Sequence, residues 1–189
     1  DAGDDEGGVL YDALRTRARI PVPVDEEFAE VLFDLLDRGL EAPELDLPLT
    51  QINILLGASI ADNELILPKG ISMVESDVFE SQAYGLYLLS YGRGSARGAL
   101  PLFMRTMQEH EDKRIRLLAI MLVPSLGPLT PDEIESLREL ARAEEDQRTL
   151  DYYLMAIEQC EWMLAQDATE LAPDEVAPDD ASVEPPADE

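Results

Sequence analysis

Cysteine, histidine and lysine are almost missing from this chain, and each shortage closes a class of chemistry. One cysteine, Cys160, leaves no intramolecular disulfide and no cysteine-built zinc site. One histidine, His110, leaves no two-histidine metal site, and its place between Glu109 and Glu111 reads as a solvated turn. Lysine occurs only at Lys69 and Lys113, the other bases being arginines. Aromatic residues make up 6% of the chain, so the core must come from Leu, Ile, Val, Met and Ala. There is no run of 18 apolar residues, so no helix is expected to span a membrane.

Positive charge is scarce as well. The chain carries 41 acids against 14 bases, a net charge of -27. Such a surface repels nucleic acid and anionic membranes, so neither is expected as a partner. An acid-biased or halophilic proteome, acidic termini, or deliberate mimicry of nucleic acid would each produce it.

What remains is enough for one core of ordinary size: 189 residues, 46% of them apolar. Residues 1–8 hold mainly Gly and acids and are expected to be disordered. The opening DAGDDEGG would suit the start of a processed exported protein or lipoprotein, and a cytoplasmic setting stays open beside it. From Asp167 onward the chain has acids and prolines but no base, and 167–189 is expected to be a disordered tail.

Between these ends the apolar residues recur at helical spacing. A helix is expected over 9–19. A second, capped by Asp25, runs to about Arg38 and is stopped by Gly39. A third covers Leu49 to about Ala61. The apolar run Leu65 to Leu67, stopped by Pro68, Lys69 and Gly70, fits either a clipped helix or a strand-like loop. One long helix is expected from Val74 to Tyr91. Gly98 to Gly127 reads as a helical hairpin, with Pro101 in its first turn and Gly127 as its stop. Leu118 is expected to be buried between its two helices. Thr130, Pro131 and Glu133 form a strong helix start, and a last helix spans Arg148 to Gln166.

The helices repeat. Ile52, Phe79, Ile115 and Leu150 each open an apolar stripe, at steps of about 27, 36 and 35 residues. A period near 35 with helix–turn–helix content is the signature of stacked helix pairs, none of which can bury its apolar face alone. The 27-residue step predicts a shortened unit in which 62–73 stands for a first helix. Over Ala99 to Gly127 the chain resembles a HEAT repeat. The pattern is an apolar first helix with an early proline (Leu100, Pro101, Leu102), a turn ending in Asp112, the pair Ile115 and Arg116, a small residue at Ala119, and a close at Leu126 and Gly127. The resemblance implies a ladder between repeats carried by Asp112 and Arg116. The arginine position is Asn53, Glu80 and Asp151 in the other units. The expected fold is therefore all-α: a short right-handed α-solenoid of about four HEAT-like helix pairs over 9–166.

Motifs for chemistry are thin. Gly92 to Gly98 imitates a phosphate loop but follows a helix rather than a strand, so it reads as a linker; Arg93 and Arg97 make it the best anion-binding candidate. Acidic groups at 144–146 and 179–180 lack a calcium-loop pattern. Glu135 with Arg138, Glu139 with Arg142 and Glu144 with Arg148 sit at helical spacing and support their own helix. Tyr84, Tyr87 and Tyr91 fall on one helix face, either as a core edge or as a peptide-binding anchor on an open face. No catalytic, cofactor or metal constellation emerges. The expected function is a non-catalytic scaffold or interaction module that binds a protein on its concave face. A carboxylate-based enzyme or enzyme accessory protein, and an acidic nucleic-acid mimic, are the alternatives.

Overall fold

A computed structural model describes residues 13–14, 26–59, 65–91 and 97–170. Among these the regular structure is helical, with no strand. Eight helices follow one another: α1 (Glu26–Glu41), α2 (Leu49–Ser59), α3 (Ile66–Val74), α4 (Phe79–Tyr91), α5 (Leu100–Glu109), α6 (Lys113–Leu122), α7 (Pro131–Ala143) and α8 (Gln147–Glu170). Of the expected helix at 9–19 only residues 13–14 are described; they are helical, and Leu14 is buried in the apolar core. The rest of that helix, the Asp25 cap, Arg93 and most of the glycine-rich link fall outside the described residues. So do the acidic pair at 179–180 and the chain beyond residue 170.

Several boundaries differ from those expected. Gly39 does not stop α1, which continues to Glu41 with Ala42 N–H still donating to the Arg38 carbonyl at 2.9 Å. The glycine is there for proximity: a Cβ would stand 2.4 Å from Leu49 Cδ2, where α2 begins. Pro68, Lys69 and Gly70 do not stop a segment either. Pro68 lies in the first turn of α3, where its missing N–H costs no helical bond, and the helix runs on to Val74. The single helix expected from Val74 to Tyr91 is two elements. At 75–78 the chain turns, and polar side chains take up the freed backbone groups. Gln82 Nε2 donates to the Ser76 carbonyl at 2.7 Å, and Ser81 Oγ to that of Met73 at 3.3 Å. At the other end α8 passes Gln166 and reaches Glu170, so the tail expected from Asp167 starts as helix.

The hairpin at 98–127 forms as expected in outline. Asp112 caps α6, its carboxylate accepting from Arg114 N–H at 2.8 Å, and Gly127 closes the unit at φ 105°. Its phase is different. Ile115, Ala119 and Ile120 are fully buried, whereas Leu118 is only half-buried, one step round the helix. Thr130 and Glu133 close a reciprocal capping box at the head of α7.

Packing is sequential. Each odd helix folds back on the even helix that follows: α1 on α2, α3 on α4, α5 on α6 and α7 on α8. The even helices also touch in succession, α2 on α4, α4 on α6 and α6 on α8. Two apolar cores result. Leu32, Leu36, Ile52, Leu56, Ile66 and Leu88 belong to the first. Leu86, Leu89, Phe103, Ile115, Ile120, Leu137 and Ile157 belong to the second. Helix α4 supplies residues to both, and so does the end of α3, with Met73 in one and Val74 in the other.

Candidate binding groove

Helix α4 starts at Phe79 and advances 100° per residue, so Phe79, Ala83, Tyr84, Tyr87 and Tyr91 lie along one side of it. That side faces α2, and between them lies a groove of about 410 Å³. Its α2 wall includes Thr50 and Asn53; its α4 wall is the aromatic row, with Glu80 alongside. Tyr87 is exposed and Tyr84, Tyr91 and Phe79 are half-buried. The rings of Tyr87 and Tyr91 stack with centroids 6.5 Å apart and an interplanar angle of 21°. Burial, and secondarily the neighbouring Tyr87, raises the Tyr91 hydroxyl above the usual phenol range, so it stays neutral at physiological pH.

The walls are held close where α2 meets the end of α4. A Cβ on Gly57 would fall 2.0 Å from Tyr91 Cβ, so only glycine admits the tyrosine there. The deepest polar group is Asn53, 1% exposed amid the apolar residues of α2. Its Nδ2 donates to the Tyr84 carbonyl at 3.0 Å. Its Oδ1 is buried without a hydrogen-bond partner. The amide cannot gain by flipping, because the Tyr84 carbonyl only accepts and would then face an oxygen.

The open tyrosine row contrasts with Tyr153, buried in the second core and pushed up to about 12 by burial and then by Glu144. Thus the expected tyrosine stripe lines an open surface, while a tyrosine of the last helix serves as core.

The remaining expected site residues lie elsewhere. Arg97 Nη1 donates to the Pro128 carbonyl and Nη2 pairs with Glu133, tying the segment before α5 to the cap of α7. It is a structural arginine in this arrangement. Asp112 and Arg116 do not make the expected ladder. Asp112 holds Arg114, and Arg116 Nη1 donates to the carbonyls of His110 at 2.6 Å and Glu111 at 3.1 Å, all within one hairpin. The contacts that join successive pairs are others: Lys69 to Asp37 at 2.6 Å, Arg105 to Glu75 at 2.7 Å, Arg97 to Glu133, and Lys113 to Asp146 at 2.9 Å. Of the expected intrahelical pairs, Glu135 holds Arg138 at 2.8 Å; it also holds Arg142 at 2.9 Å, in the place expected for Glu139.

Carboxylates with resolved shifts move downward. Asp112 is held at about 2, first by the Arg114 side chain, and Asp146 at about 2, first by Lys113. Glu135 is lowered by Arg138 and Arg142. These groups remain anions in neutral solution. Among the described residues no group of His, Cys, Asp and Glu is placed to hold a metal ion. None of the described helices is long and apolar enough to cross a membrane. Comparison with known protein families, with curated proteins and with solved structures finds no match for the chain.

Proposed function

We propose that this chain is a non-catalytic interaction module, a short right-handed α-solenoid of four HEAT-like helix pairs that receives a protein partner along its even-helix layer. The observation that carries the reading is the aromatic groove between α2 and α4, a row of half-buried rings with Tyr87 exposed, on a packed scaffold. Sequential contact of α2, α4, α6 and α8 supports the stacked-pair reading, because each pair then completes its core on the next. So do the ion pairs between successive units, although exposed pairs of this kind contribute only about 0–1 kcal/mol each. The downward carboxylate shifts suit a surface of permanent charge better than acid–base chemistry, which needs a carboxyl raised toward neutrality.

Tyrosines suit such a role: they bring large contact area with few rotatable bonds and a polar tip. A photo-crosslinking residue at position 87 should capture a polypeptide from an extract of the source cells, and the same residue at position 31, exposed on α1, should not. Equal capture from both positions would defeat the groove as the docking surface.

A further inference from the structure

The groove has a preference built into it that a general protein-binding surface lacks. Asn53 Oδ1 is an acceptor buried with no donor, and a buried polar group left unpaired is costly. Its direction is fixed, since the amide nitrogen of the same side chain is committed to the Tyr84 carbonyl. Asn53 is itself one of the residues that line the groove, so the groove is the side from which a donor is sought. Around it stand the rings of Phe79, Tyr84, Tyr87 and Tyr91, whose faces attract cations, and the carboxylate of Glu80. The molecule already uses this chemistry at the groove's edge. Arg114 places its guanidinium carbon 4.0 Å from the centroid of Phe79, balanced by Asp112 and by the field of Glu80. The net charge of -27 draws cations toward the whole surface.

We infer that the groove between α2 and α4 receives a cationic hydrogen-bond-donating side chain, arginine foremost, presented by a basic segment of a protein partner. The inference rests on the reading of the chain as an interaction module and names the chemistry of what is bound. A planar guanidinium meets the three demands together: a flat cation against tyrosine faces, charge toward Glu80, and N–H groups for Asn53 Oδ1. Reaching that oxygen requires the half-buried tyrosines to turn aside, a rotamer change that a partner can induce.

The test is an NMR titration of the full chain with the peptides acetyl-Gly-Gly-X-Gly-Gly-amide, where X is arginine, citrulline or norleucine. Citrulline keeps N–H donors and loses the charge; norleucine loses both. The arginine peptide should shift the side-chain amide of Asn53 and the rings of Tyr84 and Tyr87. It should bind about tenfold more tightly than the citrulline peptide. Tyr87→Ala, at an exposed position that leaves the core intact, should weaken it by a similar factor, and Asn53→Leu should abolish the preference for citrulline over norleucine. Arginine and norleucine peptides binding the groove equally would overturn the inference while leaving the groove a docking surface. Shifts spread over the acidic surface and unchanged by Tyr87→Ala would overturn it too, as would no binding. Capture from position 87 of a partner whose crosslinked segment holds no basic residue would refute this chemistry but not the module.

Discussion

Truncating Ile115 should cost far more than truncating Leu118, although both are apolar residues on the same helix three positions apart. Ile115, on α6, is fully buried in the second core, and replacing it by Ala removes three carbons from a closed site. At about 0.8 kcal/mol per buried carbon the transfer contribution alone is roughly 2.4 kcal/mol, and the unfilled cavity brings the total to about 3–4 kcal/mol. Leu118 is half-buried at the margin of the same core, so Leu118→Ala gives up roughly half that transfer contribution and opens no enclosed void. Its cost should be about 1 kcal/mol. In a chain of this length 1 kcal/mol moves Tm by about 2–4 °C. Thermal melts followed by circular dichroism should therefore show Ile115→Ala lower by about 6–16 °C and Leu118→Ala by about 2–4 °C. Equal shifts, or a larger one at Leu118, would mean that the phase of α6 against α5 is wrong by one step.

Thr130→Ala removes the acceptor of the capping box on α7 and should lower stability by about 1 kcal/mol, seen as a Tm drop of about 2–4 °C; an unchanged Tm would refute the cap. Asp112 and Asp146 are each held down to about 2, below the value of an unfolded Asp, so their contribution is complete above about pH 4 and is lost as pH falls toward 2. The double variant Asp112→Asn, Asp146→Asn should show a shallower fall of Tm between pH 4 and 2 than the parent chain, and parallel falls would dismiss the assignment. Cys160 is buried, and burial followed by Glu161 raises its thiol to about 11, so it should resist an aromatic disulfide reagent at pH 8 and react promptly once the chain is unfolded in guanidinium.

Much of the fold was legible because apolar period and capping chemistry are local signals. Thr130 with Glu133 marked the start of α7, and Asp112 that of α6. The misreadings came where distant contacts decide. Gly39 resembles a helix stop by itself, and only the approach of Leu49 shows that it is a contact surface. Across 74–91 the apolar spacing continues through 75–78, so periodicity alone could not reveal the reversal. In the groove, the tyrosine stripe was visible from its spacing, whereas Asn53 and Glu80 entered only as positions that depart from the repeat's arginine. A lone amide between Ile52 and Ile54 is the one sequence signal that could have singled out Asn53. The ion pairs between units span 30 to 36 residues, and no local pattern distinguishes them from other exposed charges.

Helix α4 belongs to two cores at once, and this governs how occupancy of the groove would spread. One wall of the groove, α2, depends on the first core; the other, α4, is shared. A partner that binds only the assembled groove stabilises every conformation in which α2 stays docked on α4, by an amount set by its concentration relative to Kd. Openings that release α1 and α2 while leaving the second core standing are then suppressed selectively. Hydrogen exchange should slow in α1 to α4 on binding and stay nearly constant in α7 and α8. The partner would act as a clasp on one half of the molecule, and the far end would carry no record of it.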